Sequence, residues 1–194
     1  MKVLITGSNG QLGSEILQLV DKYDHFEFIF KDLPDLDICD EKAINDFIKV
    51  QNLGVVINCA AYTAVDKAEK DNEAAELVNS VGVSNIVKAL EKIKGKLIHI
   101  STDYVFNGDN YEPYKESDPV SPVGVYGETK RAGELAVLNS SIDALVIRTS
   151  WLYSVYGNNF VKTMLRLGRE KESLNIISDQ IGTPTHAKDL AKIC

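Results

Sequence analysis

The stretch KVLITGSNGQLG, residues 2–13, places an apolar strand pattern directly before a turn that carries three glycines. Glycines between a strand and a helix permit a tight turn and let the backbone approach a pyrophosphate, and the helix that follows offers free N–H groups to an anion. The spacing of Gly7, Gly10 and Gly13 departs from G-x-G-x-x-G, so an ordinary strand–helix turn is the alternative. The turn lies at the start of an alternating strand–helix pattern, and this position favours dinucleotide binding.

Strand and helix patterns alternate as far as residue 150 and predict an α/β fold, a doubly wound parallel sheet of the Rossmann type. The predicted strands are Lys2–Thr6, Phe26–Phe30, Val55–Asn58, Lys96–Ser101 and Ala144–Thr149. The predicted helices are Gln11–Val20, one capped by Asp40 that runs through Ile48, Ala74–Ile93 and Val125–Leu138. Thr102–Val123 is rich in proline and Asn-Gly turns, and it is predicted to be a loop at the carboxyl end of a strand, where such sheets bind ligands.

The pattern weakens after Ser150. A helix is predicted near Asn159–Leu167, a short strand at Leu174–Ile177, and the start of another helix after Thr183-Pro184-Thr185. The change of pattern divides the chain at residue 150.

Composition narrows the class of protein. The 194 residues carry a formal net charge of −7, and no basic stripe that would bind nucleic acid is evident. The apolar runs are too short to cross a bilayer and no signal peptide pattern is present, so a cytoplasmic location without a membrane partner is expected. The scattered Cys39, Cys59 and Cys194 predict neither a disulfide framework nor a metal site. A homodimer is compatible with the sequence.

A second motif, Tyr126-Gly127-Glu128-Thr129-Lys130, puts a phenol and an ammonium one helical turn apart on the same face. The ammonium is expected to lower the tyrosine pKa below its free value of about 10. Thr102, at the end of a predicted strand, supplies a hydroxyl that could share the same substrate oxygen. An isolated Y-x-x-x-K is usually only a helix surface, but its combination with this hydroxyl and the glycine turn is far more specific.

These groups predict the reduction of a ketone. Tyr126 would give its proton to the carbonyl oxygen as hydride arrives from a nicotinamide, and Thr102 would orient that oxygen. Lys130 would lower the tyrosine pKa and bind the nicotinamide ribose. Asp32, just after the second predicted strand, is placed to hold the adenosine ribose hydroxyls, which favours NADH, whereas neighbouring Lys31 leaves NADPH open.

The motifs together resemble those of the extended short-chain dehydrogenase/reductases, and most closely those of the dTDP-4-dehydrorhamnose reductase family. The matching segments run in order through nearly the whole chain: TGSNGQLG (6–13), LDI (36–38), NCAAYTAVDKAE (58–69), STDYVF (101–106), YGETK (126–130), RTSW (148–151), GNNF (157–160) and DQIGTPT (179–185). The resemblance implies NADPH- or NADH-dependent reduction of the 4-keto group of dTDP-4-dehydro-L-rhamnose, a step in nucleotide-sugar and cell-surface polysaccharide biosynthesis.

The resemblance also implies that residues 1–150 form an NAD(P)-binding domain and that residues 151–194 are the beginning of a smaller C-terminal substrate-binding domain. It implies roles for individual residues as well. The catalytic trio of the family maps onto Thr102, Tyr126 and Lys130. Cofactor contacts are expected along the turn, near the adenine and at the nicotinamide half, and they are Gly7, Gly10, Gln11, Leu12, Gly13, Asp32, Asp37, Ile38, Ala61, Tyr62 and Thr63, with Tyr126 and Lys130. The nucleotide-sugar substrate would meet Thr102, Asp103 and Trp151.

Two other functions remain open at this stage. Nucleotide-sugar epimerases and dehydratases share the fold and the Y-x-x-x-K motif, but they recycle a tightly bound NAD. The resemblance also extends to the non-catalytic regulatory subunit of methionine adenosyltransferase. The intact catalytic trio argues against the latter, and fold alone does not decide function.

Overall fold

The computed structural model describes residues 1–194, and its centre is a parallel sheet of five strands. The strands are β1 (Lys2–Thr6), β2 (Glu27–Lys31), β3 (Val55–Asn58), β4 (Lys96–Thr102) and β5 (Asp143–Thr149). They lie in the order β2-β1-β3-β4-β5, and every neighbouring pair is parallel. The predicted doubly wound parallel sheet is confirmed. The strand order reverses between β1 and β3, which opens a crevice at the carboxyl ends of these strands.

Helices cover both faces of this sheet. They are α1 (Gln11–Leu17), α2 (Glu41–Gln51), α3 (Val65–Ala68), α4 (Asn72–Glu76), α5 (Gly82–Glu91), α6 (Val125–Leu138), α7 (Phe160–Glu170) and α8 (Ala187–Ala191). None of them is both long enough and apolar enough to pass through a membrane.

Alternating residues of each strand point to opposite faces of the sheet, and on the central strands β1 and β3 both faces are buried. Leu4 and Val56 pack in a core shared with α2 and α5, whereas Ile5 and Ile57 pack in a second core shared with α1 and α8. Each such side chain contributes roughly 1.5–3 kcal/mol when it is fully buried. The near-continuous apolar runs of the strands follow from this double burial, and the two cores hold the strand ends in fixed positions.

Two helix predictions need a correction in their bounds. The first helix ends at Leu17 rather than Val20, and a 3-10 turn over Val20–Lys22 follows it. The predicted helix Ala74–Ile93 begins earlier and is interrupted by one π-helical turn, Leu77–Val81, between α4 and α5. A π turn inserts one extra residue into the helical repeat, which sequence periodicity does not reveal. The predicted cap of α2 is confirmed, since the Asp40 carboxylate accepts a hydrogen bond from the Ala43 N–H at 2.9 Å.

The C-terminal region differs more from the prediction. The predicted strand Leu174–Ile177 is wrong. The segment is irregular and pairs with no strand, and Ile177 is 67 % exposed. Instead, β6 (Leu152–Tyr153) and β7 (Thr185–His186) form a separate parallel pair. Two-residue strands leave no alternation to recognise. The assignment of a domain boundary at residue 150 stays a prediction.

Candidate active site

A cavity of about 1140 Å³ lies at the carboxyl ends of β1, β3 and β4. All but one of the residues predicted for the site line it. They are Gly7, Gly10, Gln11, Leu12, Asp32, Asp37, Ile38, Ala61, Tyr62, Thr63, Thr102, Asp103, Tyr126, Lys130 and Trp151. The exception is Gly13, which faces Ser8 within the turn, where a Cβ would come within 2.6 Å of the Ser8 Cα. Gly13 therefore serves packing inside the turn and does not border the cavity.

The glycine turn fits against the segment that follows β3. Gly7 has a φ of +61°, and a Cβ there would lie 2.6 Å from the backbone nitrogen of Ala60. Both the backbone conformation and the close approach require glycine. At Gly10 the helix α1 begins without any side-chain cap, and no acidic residue occupies its first turn. Backbone N–H groups at this end of α1 are therefore free of a competing side-chain acceptor on the cavity side.

Asp32 braces the same turn from the end of β2. One carboxylate oxygen accepts a hydrogen bond from the Asn9 N–H and the other accepts one from the Leu33 N–H, both at 2.8 Å. The side chain borders the cavity, and its predicted contact with a ribose stays a prediction. Lys31 pairs instead with Asp35 at 3.3 Å.

The adenine-side residues differ in burial. Asp37 is exposed, and its carboxylate accepts a hydrogen bond from the Cys39 N–H at 2.8 Å. Ile38 is buried, and it packs so closely on Gly82 of α5 that a Cβ there would lie 2.7 Å from the Ile38 side chain. Asp37 can therefore offer a charged group to a ligand, and Ile38 can offer an apolar surface.

Asn79 joins the segment after β3 to α6, and sequence reasoning missed it. Its amide accepts a hydrogen bond from the Tyr62 N–H at 2.9 Å and donates to the Tyr62 carbonyl at 3.1 Å. It also donates to Thr129 Oγ1 at 3.2 Å, and this hydroxyl donates to the Tyr126 carbonyl at 3.1 Å. Asn79 is fully buried within the π turn. An asparagine inside an otherwise apolar helix face was the only signal available.

The catalytic trio predicted from sequence comes together where α6 meets the end of β4. Lys130 is 2 % exposed, and its Nζ donates to the Ile100 carbonyl at 2.6 Å. The Thr102 hydroxyl donates to an Asp103 carboxylate oxygen at 3.1 Å. The Tyr104 and Tyr126 rings meet edge to face, with centroids 5.5 Å apart. These contacts place a hydroxyl, a phenol and an ammonium on the same cavity.

The pKa of Tyr126 moves in the opposite direction from the prediction. Burial raises the pKa of Tyr126 to about 12, and the nearby Thr102 hydroxyl only partly opposes this. Lys130 is not among the groups that shift this pKa, and its Nζ donates to the Ile100 carbonyl. Burial also lowers the pKa of Lys130 to about 8, with Glu134 acting against that shift. At neutral pH the phenol therefore holds its proton and the lysine remains largely charged.

Asp103 and Trp151 face the part of the cavity predicted to bind substrate. Burial raises the pKa of Asp103, and the hydrogen bond from Thr102 opposes that rise. Trp151 has a φ of +48° and is 39 % exposed. Its indole meets the Phe160 ring edge to face at 5.7 Å, and a Cβ on Gly182 would lie 2.6 Å from its Nε1. The indole is thus held between two neighbours with part of its surface free.

The Gln11 side chain links the glycine turn to the C-terminal region. Its amide donates to the Leu152 carbonyl at 3.3 Å and accepts from Asn159 at 2.9 Å. One helical turn later, the buried Glu15 carboxylate accepts a hydrogen bond from the Ser154 hydroxyl at 2.6 Å. Sequence separations of about 140 residues hide such pairs from any local pattern.

A buried polar row crosses the sheet beside the site. The Thr6 hydroxyl donates to the Asn58 side-chain oxygen at 2.6 Å, and the Asn58 amide nitrogen lies 3.1 Å from Nδ1 of His99. Burial lowers the pKa of His99 well below its ordinary value, with Lys130 adding to the effect. His99 is therefore a neutral core residue.

Comparison with known proteins identifies the family. The family model described as the RmlD substrate binding domain matches residues 1–194. The spore coat polysaccharide biosynthesis protein SpsK of Bacillus subtilis is 41 % identical over 191 residues, which cover 98 % of this chain and 67 % of that protein. The chain spans about two thirds of the length of the curated relatives it matches.

Solved structures agree with this match. A dTDP-4-dehydrorhamnose reductase from Clostridium acetobutylicum is 46 % identical, with a TM-score of 0.95 over 100 % of this chain and 68 % of that one. A dTDP-4-dehydrorhamnose reductase from Bacillus anthracis, solved in complex with NADP, is 41 % identical, with a TM-score of 0.95 over 99 % of this chain and 68 % of that one. The chain belongs to the dTDP-4-dehydrorhamnose reductase family.

Proposed function

We propose that the complete protein is an NAD(P)H-dependent reductase that converts dTDP-4-dehydro-L-rhamnose into dTDP-L-rhamnose. Membership of the family supports this proposal. The observation that carries it is the meeting of Thr102, Tyr126 and Lys130 on one cavity, with a phenol that keeps its proton at neutral pH. The alternatives need the same fold, but a regulatory subunit would have no use for this trio.

The residues present fit a dinucleotide cofactor, NADPH or NADH, which supplies the hydride when bound. Gly10, Gln11 and Leu12 would hold the pyrophosphate through backbone N–H groups at the uncapped start of α1. Asp37 and Ile38 would flank the adenine. NADP in the Bacillus anthracis relative supports the phosphorylated form, whereas Asp32 at the end of β2 favours NADH.

Tyr126 would act as the general acid. As negative charge develops on the keto oxygen, the phenol would donate its proton to that oxygen. The Thr102 hydroxyl would supply a second hydrogen bond by turning its proton from the Asp103 carboxylate to the keto oxygen. A raised pKa keeps the phenol protonated before the reaction and makes the tyrosinate costly afterwards. The buried Lys130 ammonium would hold the nicotinamide ribose, because it has two N–H donors left after its bond to the Ile100 carbonyl.

Trp151 and Asp103 would hold the sugar nucleotide. The indole offers an exposed aromatic surface for a base or sugar ring, and the Asp103 carboxylate can accept hydrogen bonds from sugar hydroxyls. The SpsK relative takes part in spore coat polysaccharide biosynthesis, which supports a role in cell-surface polysaccharide formation. Cytoplasmic location and a homodimer stay predictions.

The proposal is tested with the complete protein by following oxidation of NADPH and NADH in the presence of dTDP-4-dehydro-L-rhamnose. We expect one equivalent of cofactor to be consumed for each ketosugar, and less turnover with UDP- or GDP-linked ketosugars. Product formation without net cofactor consumption would identify an epimerase or dehydratase instead. Cofactor binding without turnover of any ketosugar, together with copurification of a larger partner, would identify a regulatory subunit.

A further inference from the structure

A buried ion pair connects α6 to the end of β5 beside the site. Glu134 lies one helical turn after Lys130 and is fully buried. Arg148 donates to both of its carboxylate oxygens, from Nε and from Nη2, each at 2.8 Å. A buried carboxylate is costly unless it is paired with good geometry, and this bidentate pair supplies that geometry.

Arg148 also contacts the segment that carries Thr102 and Asp103. The centre of its guanidinium lies 4.9 Å from the centroid of the Phe106 ring. Phe106 is buried, and its N–H donates to the Asp103 carbonyl at 3.0 Å, which closes the 3-10 turn Asp103–Val105. Its other face stacks on Tyr114 at 4.1 Å, with the rings 3° from parallel. The guanidinium therefore forms one wall of the Phe106 site.

We propose that Arg148 is a positioning residue which, held by Glu134, fixes Phe106 and so keeps Thr102 and Asp103 in place opposite Tyr126. The inference deepens the proposed function and rests on it for its effect on turnover. Arginine suits the role because its planar fork binds a carboxylate bidentately and stacks on an aromatic face at the same time. A lysine ammonium cannot do both.

Arg131 provides a matched control. It donates to the same Glu134 carboxylate at 2.7 Å, but it lies three residues earlier on the same helix and its side chain is 26 % exposed. It therefore neutralises charge without joining α6 to another element. Replacing Arg131 tests the loss of one ion pair at Glu134, whereas replacing Arg148 tests the loss of the link to Phe106.

The kinetic test compares Arg148→Lys, Phe106→Leu and Arg131→Lys in the complete protein. We expect kcat with the ketosugar to fall about tenfold or more in the first two, since small misplacements of reacting groups cost about this much or more, with Kd for NADPH within about twofold of the unchanged protein. Arg131→Lys should leave kcat and Kd within about twofold. An unchanged kcat in Arg148→Lys overturns the proposal. An equal fall of kcat in Arg131→Lys also overturns it. The same holds if Arg148→Lys loses NADPH affinity and melting temperature in parallel with kcat.

Hydrogen exchange gives a readout that does not depend on turnover. The Tyr104 and Phe106 amides are bonded to Thr102 Oγ1 and to the Asp103 carbonyl within the 3-10 turn. We expect both to exchange about tenfold faster in Arg148→Lys and at the original rate in Arg131→Lys, because local opening follows local contacts. Unchanged exchange in Arg148→Lys overturns the proposal. If the unchanged protein fails to reduce the ketosugar, the proposed function fails, and exchange still decides whether Arg148 fixes the turn.

Discussion

The glycine turn after β1 and the helix α6 border the same cavity, but they present different groups to it. At the turn the chain offers backbone, because Gly7 and Gly13 leave no room for a side chain. On α6 the chain offers buried side chains, above all Lys130, whose pKa is set by its surroundings. The difference predicts that changes at the turn act on cofactor binding and folding, whereas changes on α6 act on the chemical step.

The largest effect is expected for Tyr126→Phe, which removes the proton donor and keeps the ring. Loss of a general acid typically costs about 10²–10⁴-fold in rate. We expect kcat to fall by about this factor while Kd for NADPH, measured by fluorescence titration, stays within about twofold. An unchanged kcat would contradict the role of Tyr126 as proton donor. Loss of cofactor binding would contradict the assignment of cofactor binding to the glycine turn and of the chemical step to α6.

Gly7→Ala tests the role of the glycine turn in folding and cofactor binding. The added Cβ would meet the Ala60 nitrogen at 2.6 Å in a left-handed conformation, so we expect a loss of about 2–4 kcal/mol in the free energy of unfolding and weaker cofactor binding. Gly108→Ala is the control, because Gly108 also has a positive φ but nothing lies within 4 Å of its Cβ position. That variant should lose only about 1–2 kcal/mol and bind cofactor normally. Equal losses in both variants would contradict a role for the close approach.

The low pKa of Lys130 leads us to expect that kcat depends on pH. Burial lowers its pKa to about 8, so the ammonium loses its proton as pH rises through that value. We expect kcat to fall above about pH 8, by up to about tenfold per pH unit, while Tyr126 stays protonated until about pH 12.

A loss of folded protein caused by the titration of Lys130 cannot explain such a fall in kcat. Between about pH 8 and its unfolded pKa of about 10.4, the unfolded chain binds more protons at this group than the folded chain does, so its contribution to stability rises with pH. A kcat that stays constant to pH 9.5 while the protein remains folded would show that the charge on Lys130 is not needed.

The smallest effect is expected at Thr129, where the hydroxyl connects Asn79 to the Tyr126 carbonyl. Thr129→Val keeps the shape and removes the hydroxyl, and it should lower kcat by about three- to tenfold, the usual scale of one lost hydrogen bond. Thr129→Ser keeps the hydroxyl and should stay within about twofold. Equal kinetics in the two variants would show that the link through Asn79 does not position Tyr126.

Sequence predicted the parts of the molecule that local patterns encode. The five strands, the cap at Asp40 and helix α6 follow from apolar periodicity and capping chemistry, and the structure has them at or near the predicted bounds. Motifs and spacing also predicted a catalytic trio, whose members line one cavity and whose catalytic role stays a prediction.

The rest depends on partners that are distant in sequence. Gln11 meets Asn159 and Glu134 meets Arg148 only after the chain has folded, and neither pair has a local signature. The direction of the Tyr126 pKa shift was wrong for a related reason. Spacing along a helix shows that an ammonium is near, but it shows neither how deeply the phenol is buried nor that Lys130 is directed to a backbone carbonyl.

Transfer of label from the cofactor to the sugar reports directly on hydride transfer to the keto carbon. The complete protein is incubated with dTDP-4-dehydro-L-rhamnose and NADPH that carries deuterium at the transferable position of the nicotinamide. We expect one deuterium at C4 of the dTDP-L-rhamnose formed, in proportion to the NADPH consumed. Product without deuterium at C4, or no product although both ligands bind, would contradict the proposed reduction.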